Sequence, residues 1–257
     1  VIDDRAVVDP AAKVADNVTI GPWTYIGPGV EIGEGTNIAS HVVIKGPTKI
    51  GRNNKIFQFA SLGEDPQDLK YEEEATLLEI GDGNTIREYC NFNRGTVQGG
   101  NVTKIGNNNL FMANVHIAHD CILQDHIVMA NNSSLAGHVE VQSYARFSGY
   151  IGVHQFCQIG EHSFISHGML ITKDVPPYVL AAGGRHSQAT CINSVGLERF
   201  GYSADAIKNI KKAFKIIYRR GLTLQDAVKE IETMVAQTPE LKVMVDFLAN
   251  SKRGIIA

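Results

Sequence analysis

The 257-residue chain is poor in the features that would place it in several common classes. Its four cysteines, Cys90, Cys121, Cys157 and Cys191, include no CxxC pair. They read as reduced thiols, three of them filling gaps in a core, rather than as a disulfide framework or a ribbon-type zinc site. There is no run of eighteen apolar residues and no basic-then-apolar leader, so stable membrane insertion is not expected and a cytoplasmic chain is. Nor is there an excess of positive charge: 24 Lys and Arg against 27 Asp and Glu leave a net charge of −3, which argues against a general nucleic-acid binder.

What the chain does have is periodicity. From Ile105 every sixth residue is apolar: Ile105, Phe111, Ile117, Leu123, Met129, Leu135, Val141, Phe147, Val153, Ile159, Ile165 and Ile171. A second ladder of the same period runs from Ile2 through Val8, Val14, Ile20, Ile26 and onward to Leu62. Six is the period of neither an amphipathic helix nor a half-buried strand. It suits a triangular coil in which three six-residue units close a turn of eighteen and point their aliphatic side chains at the axis. Stacked coils then pair as parallel strands roughly 4.7–4.9 Å apart, a parallel β-helix of hexapeptide repeats. Gly21, Gly27, Gly33 and Gly51 directly follow their aliphatics, where a corner leaves no room for a Cβ or imposes a difficult φ.

The expected organisation is a mainly β solenoid over residues 1–178, a linker over 179–202 and a small α-helical domain over 203–257. Two insertions, 63–79 and 95–104, break the register and are expected to lie outside the coil, where functional residues collect. The prolines Pro176 and Pro177 end the repeat. Beyond the linker the period becomes helical. Ser203 is a candidate N-cap, Ile207, Ile210, Phe214 and Ile217 form an apolar stripe, Gly221 ends that helix, and Thr223 and Thr238 with Pro239 start two more. Lys208, Lys211, Lys212, Lys215, Arg219 and Arg220 fall on other faces of the first helix, a solvated surface or a docking site for an acidic partner.

The residues with chemistry cluster in the ladder that starts at Ile105. His116, His119, Asp120 and Cys121 lie within six residues, and a pitch of eighteen stacks His119 with Gly137 and Gln155, and Asp120 with His138 and Phe156. Two enzymatic uses compete. His116, His119 and His138, or Cys121 in place of one, could ligate zinc as in hexapeptide-repeat hydratases. Alternatively a neutral imidazole removes a hydroxyl proton during acyl transfer, with Asp120 supporting it and a backbone N–H such as that of Gly137 stabilising the oxyanion. A non-catalytic scaffold with surface histidines is the third reading, and spacing alone leaves all three open.

Longer motifs add a resemblance. The loop Gln67-Asp68-Leu69-Lys70-Tyr71, the run from Arg94 through Gly95, Thr96, Val97 and Gln98 to Gly100, the segments His116 to Cys121, Leu135 to Val139, Val153 to Cys157 and Lys173 to Pro176, and Tyr218-Arg219 resemble those of the acyl-carrier-protein:UDP-N-acetylglucosamine O-acyltransferase family, the first enzymes of lipid A synthesis. The likeness spans essentially the whole chain. It implies a homotrimer of left-handed β-helices with sites between subunits, no metal or other cofactor, and transfer of an (R)-3-hydroxyacyl group from acyl carrier protein to the glucosamine 3-hydroxyl of UDP-N-acetylglucosamine. By the same resemblance His119 is the general base, Asp120 its partner and the Gly137 amide the oxyanion donor.

The resemblance further implies that Gln67, Asp68, Lys70, His116, His138, His154 and Gln155 bind substrate and that Asn193 and Arg199 approach the nucleotide. It makes the basic helix the carrier-protein dock, and it puts His167 at the acyl-chain ruler, where a side chain larger than glycine favours a shorter chain. Three departures stand out: Asn93 where histidine is common, Val195 where an acidic residue is frequent, and an extra residue within 183–190. They bear on nucleotide contacts and leave a 3-amino-sugar acceptor, or a related hexapeptide N-acyltransferase, as the alternative.

Overall fold

The computed structural model describes residues 1–183 and 187–257. The centre of the insertion expected within 183–190 therefore lies outside the described residues. The chain winds as a left-handed parallel β-helix whose three faces are sheets. Sheet I runs from Val7–Val8 to Leu170–Ile171, sheet II from Lys13–Val14 to Gln158–Ile159, and sheet III from Thr19–Ile20 to Gln188–Ile192; among the described residues they hold nine, eight and ten strands. The pitch is the eighteen residues the periodicity predicts: His116 pairs with Ser134, Ser134 with Gly152, and Gly152 with Leu170.

The aliphatic ladder is the core. Ile117, Leu135, Ile165 and Ile171 are completely buried, as are Phe92 and Phe111, which meet edge to face at 5.1 Å. One inward column is polar. Asn84 donates its backbone N–H and its side-chain amide to Asn54 Oδ1 at 2.9 and 3.1 Å, Asn84 Oδ1 accepts the Asn109 amide at 2.9 Å, and Asn109 Oδ1 accepts from Ile127 at 2.7 Å. Each asparagine stands four residues after its ladder aliphatic, and stacking gives each side-chain oxygen an N–H of the next coil.

The corners divide the two demands that the sequence reading joined. Gly33 answers to space, because a Cβ there would sit 2.8 Å from the Gly51 backbone of the next coil. The left-handed φ falls two residues later, on Gly35 itself (70°), and at other corners is borne by non-glycine residues such as Asp120 (59°), His138 (61°) and Phe156 (65°). Those positions present polar and aromatic side chains where one coil stacks on the next.

Both insertions leave the ladder in register. Ile50 pairs with Ile80, thirty residues on, and Ile80 with Ile105, twenty-five on. Strand pairing resumes at Leu77 and Val102, inside the ranges 63–79 and 95–104, because the last residues of each insertion already pair with the coil below.

The expected linker is itself folded. Val179–Ala182 continues sheet III in parallel, and Gln188–Ile192 turns back antiparallel onto it. A short helix, α1 (Ser194–Arg199), follows, capped by Asn193. The remainder is helical: α2 (Ala204–Arg219) with Ser203 as N-cap, α3 (Leu224–Glu232) with Thr223 as N-cap, and α4 (Leu241–Asn250). Thr238 does not cap α4. Its hydroxyl accepts from Asn209 at 2.7 Å, and α4 opens without a side-chain cap at Glu240. On α2 the buried face is Ala206, Ile210, Ala213, Phe214 and Ile216, with Ile207 and Ile217 on its margin. The tail returns to the last coil, where Ser251 donates to buried Asp174 at 2.7 Å and Ile255 bridges to Asp174.

Candidate active site

The corner between sheets I and II holds the densest chemistry. Asp120 is buried, and three donors converge on its carboxylate: the Thr96 amide on Oδ1 at 2.7 Å, the Thr96 hydroxyl on Oδ2 at 2.7 Å, and His119 Nδ1 on Oδ2 at 2.7 Å. Burial alone would raise the Asp120 pKa, but the hydrogen bonds from His119 and Thr96 outweigh it and hold the group below its ordinary value. An ionised Asp120 accepting at Nδ1 fixes the His119 tautomer and leaves Nε2 free to accept a proton.

One coil above, Gly137 lies against that imidazole. A Cβ on Gly137 would be 2.6 Å from His119 Cε1 and 2.8 Å from Nε2, so only glycine permits the approach. Among the described residues the Gly137 amide makes no hydrogen bond. His138 meets His119 edge to face at 5.2 Å and stacks on Phe156 at 4.5 Å. Burial holds the His138 imidazole below its ordinary pKa, against the pull of Asp120, so it is neutral near pH 7.

The first insertion folds over this corner. Gln67, Asp68, Lys70, His119, His138 and Gln155 line one groove of about 710 Å³, with Leu69, Thr96, Gln98 and Phe156. Buried Arg94 anchors the insertion, donating to the Gly63 carbonyl at 2.6 Å, to the Tyr71 hydroxyl at 2.8 Å and to Asp65. Asn93 donates to the Asp65 carbonyl at 3.0 Å and is completely buried. The departure at Asn93 therefore falls on the root of the first insertion. Val195 is exposed on α1.

His116 and His154 lie beside the groove on sheet I, in an apolar trough of about 450 Å³ that also includes Leu135, Gly152, Val153 and Leu170. His116 Nδ1 meets Asn91 Oδ1 at 2.8 Å, and burial lowers its pKa. His167 does not line the trough. It sits on the corner between sheets III and I, 5.4 Å from the Tyr150 ring, and the side chain that reaches into the trough from that coil is Leu170, whose Cδ2 would be 3.0 Å from a Cβ on Gly152. The signal was available: a pitch of eighteen puts His167 in column with Gly149, and Leu170 with Gly152, Ser134 and His116.

Two other groups stand apart from His119 in the single chain. Asn193 caps α1, accepting from Gly196 at 3.2 Å, and donates to the His162 carbonyl at 3.0 Å; that places it and exposed Arg199 at the corner between sheets II and III. Lys208, Lys211, Lys212, Lys215 and Arg219 are exposed on α2, while Arg220 is paired with Glu230 of α3.

The donor set does not favour a structural metal. His119, Asp120 and His138 bring ligand atoms within 4.8 Å of one another, but His119 Nδ1 and both Asp120 oxygens are already committed to hydrogen bonds. Cys121 points inward, donates to the Ala136 carbonyl at 3.2 Å and has its thiol pKa pushed up to about 12 by burial. A larger groove of about 760 Å³ between sheet II and α4 contains Tyr178, Tyr202, Glu161 and Lys242 and, among the described residues, no histidine or cysteine.

The chain is similar to known proteins along its whole length. Residues 174–256 match the family described as UDP-N-acetylglucosamine O-acyltransferase, domain 2, and residues 11–46 match the bacterial transferase hexapeptide family. The acyl-[acyl-carrier-protein]--UDP-N-acetylglucosamine O-acyltransferase of Stutzerimonas stutzeri is 52% identical over 254 residues, covering 99% of this chain and 98% of that one. Among solved structures, LpxA from Acinetobacter baumannii superposes with a TM-score of 0.98 at 48% identity, covering 100% and 99% of the two chains. The UDP-N-acetylglucosamine acyltransferase of Francisella novicida gives 0.97 at 43% identity, covering 100% and 94%.

Proposed function

The chain belongs to the acyl-[acyl-carrier-protein]–UDP-N-acetylglucosamine O-acyltransferases, and from that premise we propose how its corner residues perform the reaction. The activity is acyl transfer from acyl carrier protein to UDP-N-acetylglucosamine, the first step of lipid A biosynthesis. The donor group is an (R)-3-hydroxyacyl chain and the acceptor is the glucosamine 3-hydroxyl.

His119 Nε2 takes the hydroxyl proton as the oxygen attacks the thioester carbonyl carbon. Asp120 holds Nδ1–H and stabilises the imidazolium that forms. The Gly137 amide donates to the oxyanion of the tetrahedral intermediate. Collapse breaks the carbon–sulfur bond, and the departing thiolate of the carrier takes the proton back from His119. The observation that carries this reading is the pairing of a tautomer-locked imidazole with an uncommitted glycine amide at the mouth of one groove.

Gln67, Asp68, Lys70, His138 and Gln155 bind the sugar nucleotide in the groove, and His116 and His154 flank the acyl chain in the trough. Leu170, rather than His167, closes the trough against longer chains. The exposed face of α2 receives the acidic carrier protein, and a KM for carrier that rises with salt checks this docking.

The working form is a homotrimer. Three features support it. The aromatic column Trp23, His41, Phe59 and Tyr89, with ring centroids 4.9, 5.3 and 5.1 Å apart, is exposed along one corner. The trough is open on sheet I. Asn193 and Arg199 stand at a different corner from His119, where a neighbouring copy can receive them. Sedimentation equilibrium at three times the monomer mass checks the assembly. No helix among the described residues is long and apolar enough to cross a membrane. A carrier-bound donor places the reaction in the cytoplasm, which fractionation tests.

The deciding experiment offers UDP-N-acetylglucosamine with 3-hydroxyacyl carrier proteins of graded length to the native chain and to His119→Ala. The native chain is expected to form an ester and to select one length. The variant is expected to lose roughly 10²- to 10⁴-fold in kcat. Near-normal transfer by the variant would defeat the base assignment.

A further inference from the structure

Thr96 belongs to the second insertion, outside the eighteen-residue register, yet it is 1% exposed and touches the catalytic pair. Its backbone and its hydroxyl each donate to a different oxygen of Asp120, both at 2.7 Å. The hydroxyl oxygen accepts in turn from the Gly99 amide at 3.1 Å, so its proton is directed at the carboxylate. Gly99 packs so closely that a Cβ there would overlap the Asp120 carboxyl group. From the other side Thr103 Oγ1 accepts the Asp120 amide at 2.8 Å, holding the backbone at its left-handed φ of 59°.

We propose that the turn from Thr96 to Gly99 is the positioning device of the catalytic pair, with the Thr96 hydroxyl as its working atom. The chain of bonds runs from the Gly99 N–H to the Thr96 hydroxyl, on to Asp120 Oδ2, and meets His119 Nδ1–H there. A carboxylate held by one donor alone swings about its Cβ–Cγ bond. Held at both oxygens, Asp120 presents Oδ2 to His119 in one geometry, and His119 Nε2 is delivered beside the Gly137 amide. The groups that face Asp120 and titrate are His119 and His138, and Asp68 of the first insertion acts on His138 from across the groove. Thr96 is thus a positioning residue, and the insertion is part of the active site rather than a solvated excursion. This inference rests on His119 as the base.

The test is steady-state kinetics against pH for the full chain carrying Thr96→Val, Thr96→Ser and, separately, His119→Ala, with thermal midpoints measured in parallel. Valine keeps the shape and the backbone donor and removes only the hydroxyl. Thr96→Val is expected to lose roughly 10- to 100-fold in kcat, with KM for the sugar nucleotide changed less than about twofold. The acid limb of kcat/KM is expected to move up in pH, because a carboxylate with one fewer donor holds the imidazolium proton more tightly. Thr96→Ser restores both. Native kcat and an unmoved limb in Thr96→Val, beside an inactive His119→Ala, would overturn the positioning role and leave the base standing. A fall in kcat with the limb unmoved and the thermal midpoint lowered would overturn it too, as a purely structural effect. Activity in His119→Ala would remove the premise and the proposal with it.

Discussion

Two corners of one prism carry histidines on the same repeat, and they have become different chemical environments. Between sheets I and II, His119 and His138 meet edge to face at 5.2 Å beside a buried carboxylate and an open groove. Between sheets II and III, His126, Tyr144 and His162 stack face to face at 4.8 and 4.6 Å, and Phe200 and Tyr202 close over them edge-on. His162 is 4% exposed, and its pKa is driven down to about 4 by burial and then by Arg146. The pitch fixes how far apart rings stand. What surrounds them decides whether an imidazole can exchange a proton with substrate or is held neutral inside an aromatic stack that braces α1.

The largest expected effect breaks the first corner. Asp120→Asn keeps the side-chain size but removes the charge, and kcat is expected to fall roughly 10²- to 10⁴-fold with the fold intact, checked by single-turnover kinetics beside circular dichroism. Next comes the second corner, which is expected to show in stability instead. The folded pKa of His162, about 4, lies below the ordinary 6.5, so its contribution is complete above pH 6.5 and is lost as pH falls toward 4. The loss is on the order of 3 kcal/mol. Thermal midpoints from pH 7 to 4.5 read it, and His162→Phe is expected to flatten that slope.

Leu170→Gly sharpens the contrast between corner and face. It is expected to leave kcat for a long-chain donor near native while shifting preference toward longer chains, by about fourfold per methylene admitted, since each buried methylene is worth about 0.8 kcal/mol. Competition between two donors measures it, and His167→Gly is the control expected to shift nothing. The smallest effect belongs to sheet II, whose outward row Lys13, Glu31, Lys49, Glu79 and Lys104 alternates in charge. Lys13 pairs with Glu31 at 2.9 Å, largely in solvent. Lys13→Ala is expected to change stability by less than about 0.5 kcal/mol and turnover not at all, by urea titration and the same assay.

Wherever the register runs unbroken, the site was legible. Period six predicted that His119 would face Gly137, because stacking is arithmetic once the pitch is known. The same arithmetic, applied to 167 and 170, would have separated the corner residue from the trough residue. It fails at Thr96, because an insertion carries its residues out of the count, and only the folded loop reveals that Thr96 returns to Asp120. It is silent on Asn193, which caps α1 in the single chain, and on Asn93, whose position beside Arg94 hid its service to the first loop. The linker over 179–202 concealed a hairpin because its strands, Val179–Ala182 and Gln188–Ile192, lack the ladder's repeat.

That hairpin has a bearing on how the solenoid ends. Parallel rungs are self-templating: the last exposed edge of a solenoid is the ideal seat for the first rung of another molecule. By sending Gln188–Ile192 back against Val179–Ala182, and by tying Ser251 and Ile255 to Asp174, the chain offers an incoming rung a strand of the wrong direction under a stitched lid. At this end, sheet III is thereby a poor template for another molecule's rung.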